Sequence, residues 1–281
     1  MQKRLTLYLI EEFMKKNELQ YNILYSCTDE KERGSENLVS EHVITFILSG
    51  RIQFYVNQIL VEYKAGQMAL LRKNLLLRSF KYPANDGKPF QSLNVFLAQE
   101  SLRKFSTTHN VVATGLYNDG PIFDLSDDIF IKGYFDSLVP YFNTDVPLTE
   151  HLADLKTYEA IELVLRHKKL QNLLLDFAVP HKADLEAFMS QNYAYNIPMS
   201  KFALLTGRSL ATFKRDFKKI FHNSPEKWIV QKRLEAAHFL IAQKKQPPSA
   251  VFQDVGFENF SHFSTAFKKK FGYNASSLAG G

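Results

Sequence analysis

The sequence predicts an α+β chain of more than one domain, with an antiparallel β-sandwich or barrel in front, a helical connector, and an all-α C-terminal unit built from two helix-turn-helix motifs. Three observations carry this. Short β-rich runs separated by turn residues fill residues 21–95. Beyond residue 122 the apolar period lengthens to three and four residues. One phenylalanine pattern also occurs twice in the last third of the chain, fifty residues apart.

In chain order, Leu5, Leu9, Phe13 and Met14 fall near one face of a short helix over residues 1–16. Residues 43–48 and 52–56, joined by Ser49-Gly50, read as strand, tight turn, strand. Residues 58–63, 68–71, 75–82 and 90–97 continue the series, with Ala65-Gly66 as a turn and the Pro- and Gly-containing stretch 83–89 as a loop. Many short strands at near-regular spacing make a small antiparallel sandwich or barrel. Residues 130–142 and 148–177 carry helical periodicity in Leu155, Tyr158, Ile161, Leu163, Leu165, Leu170, Leu173 and Leu174, with Pro140 and Pro147 as breaks. This connector ends near Pro180, so the expected divisions are 1–122, 123–177 and 178–281. The connector has too many apolar residues for one stripe of a solvated helix. It is expected either to self-associate, giving a homodimer, or to pack on its own front domain.

The repeat is the most informative feature. Phe213, Phe217 and Phe221, with Lys218-Lys219 after the middle one, are matched by Phe263, Phe267 and Phe271 with Lys268-Lys269-Lys270. Spacings of four residues place each trio along one helix face. Gly207 and Gly256 precede the two copies, each following a short helical segment (198–205 and 250–255). Short helix, Gly-containing turn, second helix with a buried apolar stripe is the helix-turn-helix layout. Ser209 suits an N-cap, and Ser224-Pro225 starts a further helix through Trp228, Arg233 and Ile241 that links the motifs.

Charge divides along the same line. Residues 181–281 hold 15 Lys and Arg against 7 Asp and Glu, whereas residues 1–180 hold 20 against 22. A basic unit attached to a nearly neutral one is the electrostatic footprint of a nucleic-acid-binding module. The single Cys27 cannot form an intramolecular disulfide, which fits a reducing cytosol and excludes a reactive cysteine cluster. The apolar stretch 5–10 is too short, and too soon followed by Glu11-Glu12, for a secretory signal, and no run reaches membrane-spanning length. The expected location is the cytoplasm, with no membrane partner.

The runs Phe202-Ala203 to Gly207, Phe213-Lys214-Arg215-Asp216-Phe217, Ser224-Pro225 with Trp228, and Arg233-Leu234 with Ala237 resemble the first motif and linker helix of AraC/XylS-family transcription regulators. Gly256-Phe257 to Phe271-Gly272 resembles the second motif. The likeness covers about 100 residues, and its entry and Thr212-Phe213-Lys214 core look nearest to activators of type III secretion. It implies a seven-helix DNA-binding domain whose two recognition helices enter successive major-groove segments, with double-stranded DNA and RNA polymerase as partners.

Carried over by position, the first recognition helix offers Leu210, Ala211, Thr212, Lys214 and Arg215 to the bases, with Arg208 and Lys218 placed for phosphate. The second offers Asn259, Phe260, Ser261, His262, Ser264 and Thr265, with Lys268 and Lys269 (and Lys270) in its last turn. Lys and Arg donate to guanine, apolar groups and a Thr methyl pack on thymine methyls, and phosphate contacts add affinity without sequence information. Where the family has a small residue four before the turn glycine, the first motif has Ala203 but the second has Phe252, which predicts a looser second motif.

Residues 20–100 resemble the cupin-like effector domain of such regulators through Ile47-Leu48-Ser49-Gly50 and Lys64-Ala65-Gly66. This implies a small-molecule effector or a regulatory protein partner. Metal-binding cupins need a His pair, a Glu and a later His. Here His42 stands alone, Leu75, Leu76, Leu77 and Arg78 occupy the region of the later His, and no metal, cofactor or catalytic residue is expected. His42 reads as a surface or strand-edge histidine. The alternatives, a cupin-type enzyme or a DNA-repair protein fused to a DNA-binding unit, lack the ligand set and the reactive cysteines that they require.

Overall fold

The computed structural model describes residues 17–33, 37–56, 59–115, 117, 119–144, 146–177 and 182–278; the helix expected over residues 1–16 lies outside them. The chain divides into two compact units between residues 178 and 179.

The first unit opens with β1 (Glu18–Gln20), β2 (Ile23–Thr28), β3 (Glu32–Arg33), β4 (Asn37–Val39), β5 (His42–Ser49), β6 (Arg51–Val56), β7 (Ile59–Lys64), β8 (Met68–Leu71), β9 (Leu75–Tyr82) and β10 (Phe90–Leu97). Helix α1 (Gln99–His109) and β11 (Ile122–Asp124) follow. One sheet runs β1-β2-β10-β5-β8-β11 and the other β3-β9-β6-β7, with β4 also on β9 and every pair antiparallel. The centre of the first sheet is buried on both faces. Along β5, Val43 and Ile47 enter a core shared with Ile52, Phe54 and Leu77 of the second sheet, while Ile44 and Phe46 point into a core shared with helices. Two-sided burial explains why β5 and β8 read as continuous apolar runs rather than alternating ones.

The helical core is completed by α2 (Ile129–Leu138), α3 (Pro140–Asn143), α4 (Glu150–Leu165) and α5 (Lys168–Leu174). Asp128 caps α2, accepting from the backbone N–H of Phe130 and Ile131 at 2.9 and 3.0 Å. Ala153, Ala160, Ile161 and Val164 of α4, with Leu170, Leu173 and Leu174 of α5, pack in the same core as Ile23, Phe46 and Leu93 of the sheet. Helix α1 was not expected. Its 11 residues bury only Leu102 and Phe105, too few anchors to mark a period, and it stops at Asn110 in a left-handed conformation.

His42 is not at the surface. Its side chain is 1% exposed, Nδ1 accepts from the Lys73 backbone N–H at 3.2 Å, and Nε2 is buried without a partner. Burial, with Lys73 and Arg72 close by, pushes its pKa down to about 3, so the ring is neutral. The sequence pattern missed this because β5 lies between two cores, so even its first residue is enclosed. Among the described residues no group of His, Cys, Asp and Glu is arranged to hold a metal ion, and no helix is long and apolar enough to cross a membrane.

The second unit comprises α6 (Leu185–Asn192), α7 (Met199–Leu205), α8 (Leu210–Phe221), α9 (Pro225–Ala242), α10 (Pro248–Asp254), α11 (Phe260–Phe271) and a 3₁₀ turn (Ala275–Leu278). The phenylalanine stripes are its core. Phe213, Phe217, Phe263 and Phe267 are fully buried. The first trio packs on the amino-terminal half of α9, where Trp228 lies 5.6 Å from Phe217 and 4.7 Å from Phe221. The second trio packs on its other half, beside Ala237, Ile241 and the His238 ring, 4.7 Å from Phe271.

Candidate nucleic-acid interface

The two motifs share one turn. After α7, the Arg208 N–H donates to the Ala203 carbonyl at 2.9 Å and Gly207 adopts φ +65°. After α10, the Phe257 N–H donates to the Phe252 carbonyl at 2.9 Å and Gly256 adopts φ +97°. A residue with φ in this range is costly unless it is glycine, which is why the glycines recur. Each recognition helix is then capped: Ser209 Oγ accepts from the Thr212 N–H at 3.2 Å, and Asn259 Oδ1 accepts from the Ser261 and His262 N–H groups at 2.8 and 3.2 Å. The second turn is one residue longer, so Leu210 and Phe260 occupy the same first helical position.

Phe252 does not disturb the turn itself, although the two helices of the second motif meet less extensively than those of the first. Its backbone makes the same turn hydrogen bond as Ala203, while its half-buried ring leaves the helix contact for the rim and rests on Phe260 and Phe263, with centroids 5.4 and 6.5 Å apart. A large side chain is tolerated because the exposed Phe260 ring covers it.

On α8, Leu210, Ala211, Lys214, Arg215 and Lys218 are exposed on one side and Thr212 is half-buried, its hydroxyl 3.0 Å from Ser209 Oγ. Lys214 reaches Glu226 at 3.3 Å and Arg215 reaches Asp216 at 3.6 Å, both surface pairs that a phosphate or base can displace at little cost. On α11, Phe260, Ser261, His262, Thr265, Lys268 and Lys269 are exposed and Ser264 is half-buried, while Asn259 spends its carbonyl oxygen on the cap.

One cation is turned away from phosphate. The Arg208 side chain is 9% exposed; Nε donates to Asp216 at 3.2 Å, and Nη1 donates to the Ala183 and Thr206 carbonyls at 3.0 and 2.7 Å. It braces the first turn against the start of α6. Lys270 is exposed and pairs at the surface with Glu235 at 2.9 Å, donating also to the Gln231 carbonyl of α9 at 3.1 Å.

The residue that spacing alone did not reveal as structural is Arg233. From the middle of α9 its Nε donates to the Tyr193 carbonyl at 2.9 Å, Nη2 to Tyr195 at 2.9 Å and Nη1 to Gly256 at 2.6 Å. It ties the loop after α6 to the second turn, and the Asn196 amide donating to Glu258 adds a second tie. A buried guanidinium with its donors on carbonyls is strongly held, and its removal leaves several acceptors unpaired. Arg233 falls four residues after Ile229 and four before Ala237, on the apolar face of α9, and that phase is the signal that could have found it.

Two family descriptions match this chain: "ExsA N-terminal regulatory domain" over residues 42–177 and "Helix-turn-helix domain" over residues 202–279. Over these two stretches the chain is similar to transcriptional regulators of the AraC/XylS type. Among relatives of known name, it is similar to the virulence regulon transcriptional activator VirF of Yersinia enterocolitica, 34% identical over 88 residues, which is 31% of this chain and 32% of that protein. It is also similar to the HTH-type transcriptional regulator ExsA of Pseudomonas aeruginosa, 28% identical over 103 residues, 37% of each. The chain thus matches about a third of the length of these relatives. ToxT of Vibrio cholerae aligns over 93% of this chain and 98% of its own at 12% identity, with a TM-score of 0.46. A probable AraC family regulator from Rhodopseudomonas palustris aligns over 34% of this chain and 90% of its own at 27% identity, with a TM-score of 0.30.

Proposed function

We propose that this chain is a sequence-specific, double-stranded-DNA-binding transcription regulator. One observation carries the reading: two turns of the same hydrogen-bonded geometry each present the exposed start of a capped helix, within a unit holding 15 basic and 7 acidic residues. Lys214 and Arg215 reach base edges, with Leu210, Ala211 and the Thr212 methyl beside them. Lys218, Lys268 and Lys269 meet phosphates. Asn259, Phe260, Ser261, His262, Ser264 and Thr265 line the second contact. The first helix supplies most of the discrimination because it alone carries long donors in its first two turns.

The similarity to VirF, a transcriptional activator, supports an activating role, with RNA polymerase as a protein partner in the cytoplasm. The front unit is the sensor, for a small ligand or a regulatory protein, and works without metal or catalysis. Self-association through the connector helices is weakened as a reading by how many of their apolar residues pack on the chain's own sheet; Ile129, Phe130 and Leu155, 74%, 52% and 51% exposed, are apolar residues that these helices leave outside. Light scattering of residues 1–177 at tens of micromolar tests it, a strict monomer counting against it. The DNA reading is tested by anisotropy titration of duplex DNA with the full chain and with residues 178–281 and 1–177. Binding by the C-terminal piece that falls steeply with salt is expected. Affinity residing in the N-terminal piece instead would overturn it.

A further inference from the structure

We propose that Phe260 is an apolar probe for a thymine C5-methyl group, and that Phe252 is the positioning residue that holds it; this rests on the DNA-binding reading above. Phe260 is the first residue of α11, where a recognition helix comes nearest the base edges. The ring at this position remains 43% exposed and rests on two others. Phe252 meets Phe260 edge-to-face at 5.4 Å and 74°, and the buried Phe263 supports the other side at 6.0 Å. Edge-to-face pairs of this kind hold a defined geometry. The helix start itself is fixed by the Asn259 cap.

The comparison within the chain isolates the device. In the first motif the same two positions are Leu210 and Ala203, so the ring that Phe252 supplies has no counterpart there. That motif has Lys214 and Arg215 to read guanine; the matching positions of α11 are Ser264 and Thr265, which are too short for two-pronged donation to a base. The cations of α11 all lie in its last turn. What remains at the start of α11 with size and rigidity is the Phe260 ring, and the major-groove feature that an apolar ring distinguishes is the thymine methyl. The residue that departs from the small side chain at this turn therefore has a use: it supports the ring from below.

The test uses the full chain and the duplexes it enriches from a random pool. Each thymine in the segment under the second motif is replaced singly by deoxyuridine, which deletes only the methyl, and affinity is read by anisotropy. One position is expected to lose on the order of fourfold, the equivalent of one buried methyl(ene) group. Phe260→Ala and Phe260→Gln should bind the thymine duplex more weakly and be indifferent to that substitution. Phe252→Ala should reduce the methyl effect while leaving the salt slope unchanged. The Trp228 emission of each variant, reporting the only tryptophan and hence the second unit, shows that it is folded. If no thymine in the segment responds in the parent chain, or if Phe260→Gln keeps the response, the proposal is wrong although the DNA-binding reading stands. If no duplex is enriched at all, the DNA-binding reading fails and the proposal with it.

Discussion

Replacing Gly256 by alanine separates two costs that usually coincide. The backbone there has φ +97°, and an added Cβ would lie 2.3 Å from the Ala194 carbonyl oxygen and 2.8 Å from the Arg233 guanidinium. Gly272, which ends α11, has φ +84° and nothing within 4 Å of the same added atom. Gly272→Ala therefore carries only left-handed strain, about 1–2 kcal/mol. Gly256→Ala adds the displacement of the Ala194 carbonyl and of the Arg233 side chain that donates to Gly256, about 1–3 kcal/mol more by analogy with overpacked cores. The total, about 2–5 kcal/mol, is a large part of the stability of a unit this size. Urea unfolding followed by Trp228 measures the second unit within the intact chain, because the chain has one tryptophan and it packs against Phe217 and Phe221. The structure requires Gly256→Ala to have the lower midpoint. Equal midpoints for the two variants would refute the close approach of the Ala194 loop to the second turn, and with it the Arg233 brace.

Four further outcomes follow from the same geometry. Arg208→Ala should lower the midpoint in the same urea assay, since it removes the donors to Asp216 and to the Ala183 and Thr206 carbonyls, and should leave the salt slope of DNA binding unchanged. Arg215→Ala should do the reverse, barely moving stability but weakening binding by about 1–3 kcal/mol and relaxing preference at one or two base pairs. Replacing Lys268 and Lys269 should weaken binding to all sequences alike and flatten the log–log salt slope by roughly 0.9 per phosphate lost. His42 couples the front unit to pH: its folded pKa of about 3 lies below the unfolded value of 6.5, so its contribution is complete above pH 6.5 and is lost as pH falls toward 3. Acid unfolding of the parent chain by circular dichroism should thus begin at higher pH than that of His42→Gln, and matching profiles would show that the ring is not held neutral.

Sequence alone determined what is periodic or duplicated. The strand runs 43–48, 52–56, 68–71, 75–82 and 90–97 were legible because pleated backbone alternates and turns need Gly, Pro and Asn. The two helix-turn-helix motifs were legible because the same Gly and the same three phenylalanines solve the same packing problem twice. The exposed faces of α8 and α11 followed from helical phase. Tertiary structure decided what depends on partners distant in sequence. Whether a given cation faces solvent or the protein is not a property of its own sequence segment: Arg208 is drawn inward by the Ala183 carbonyl, 25 residues away. Burial of His42 depends on a strand enclosed on both faces, and the fate of the connector on whether a sheet lies beneath it. The use of Phe252 depends on the neighbour that covers it, because an oversized side chain at a turn is a defect until another ring meets it at 5.4 Å. Local periodicity encodes which face of an element is apolar, and only the folded chain brings together the side chains that decide what each face touches.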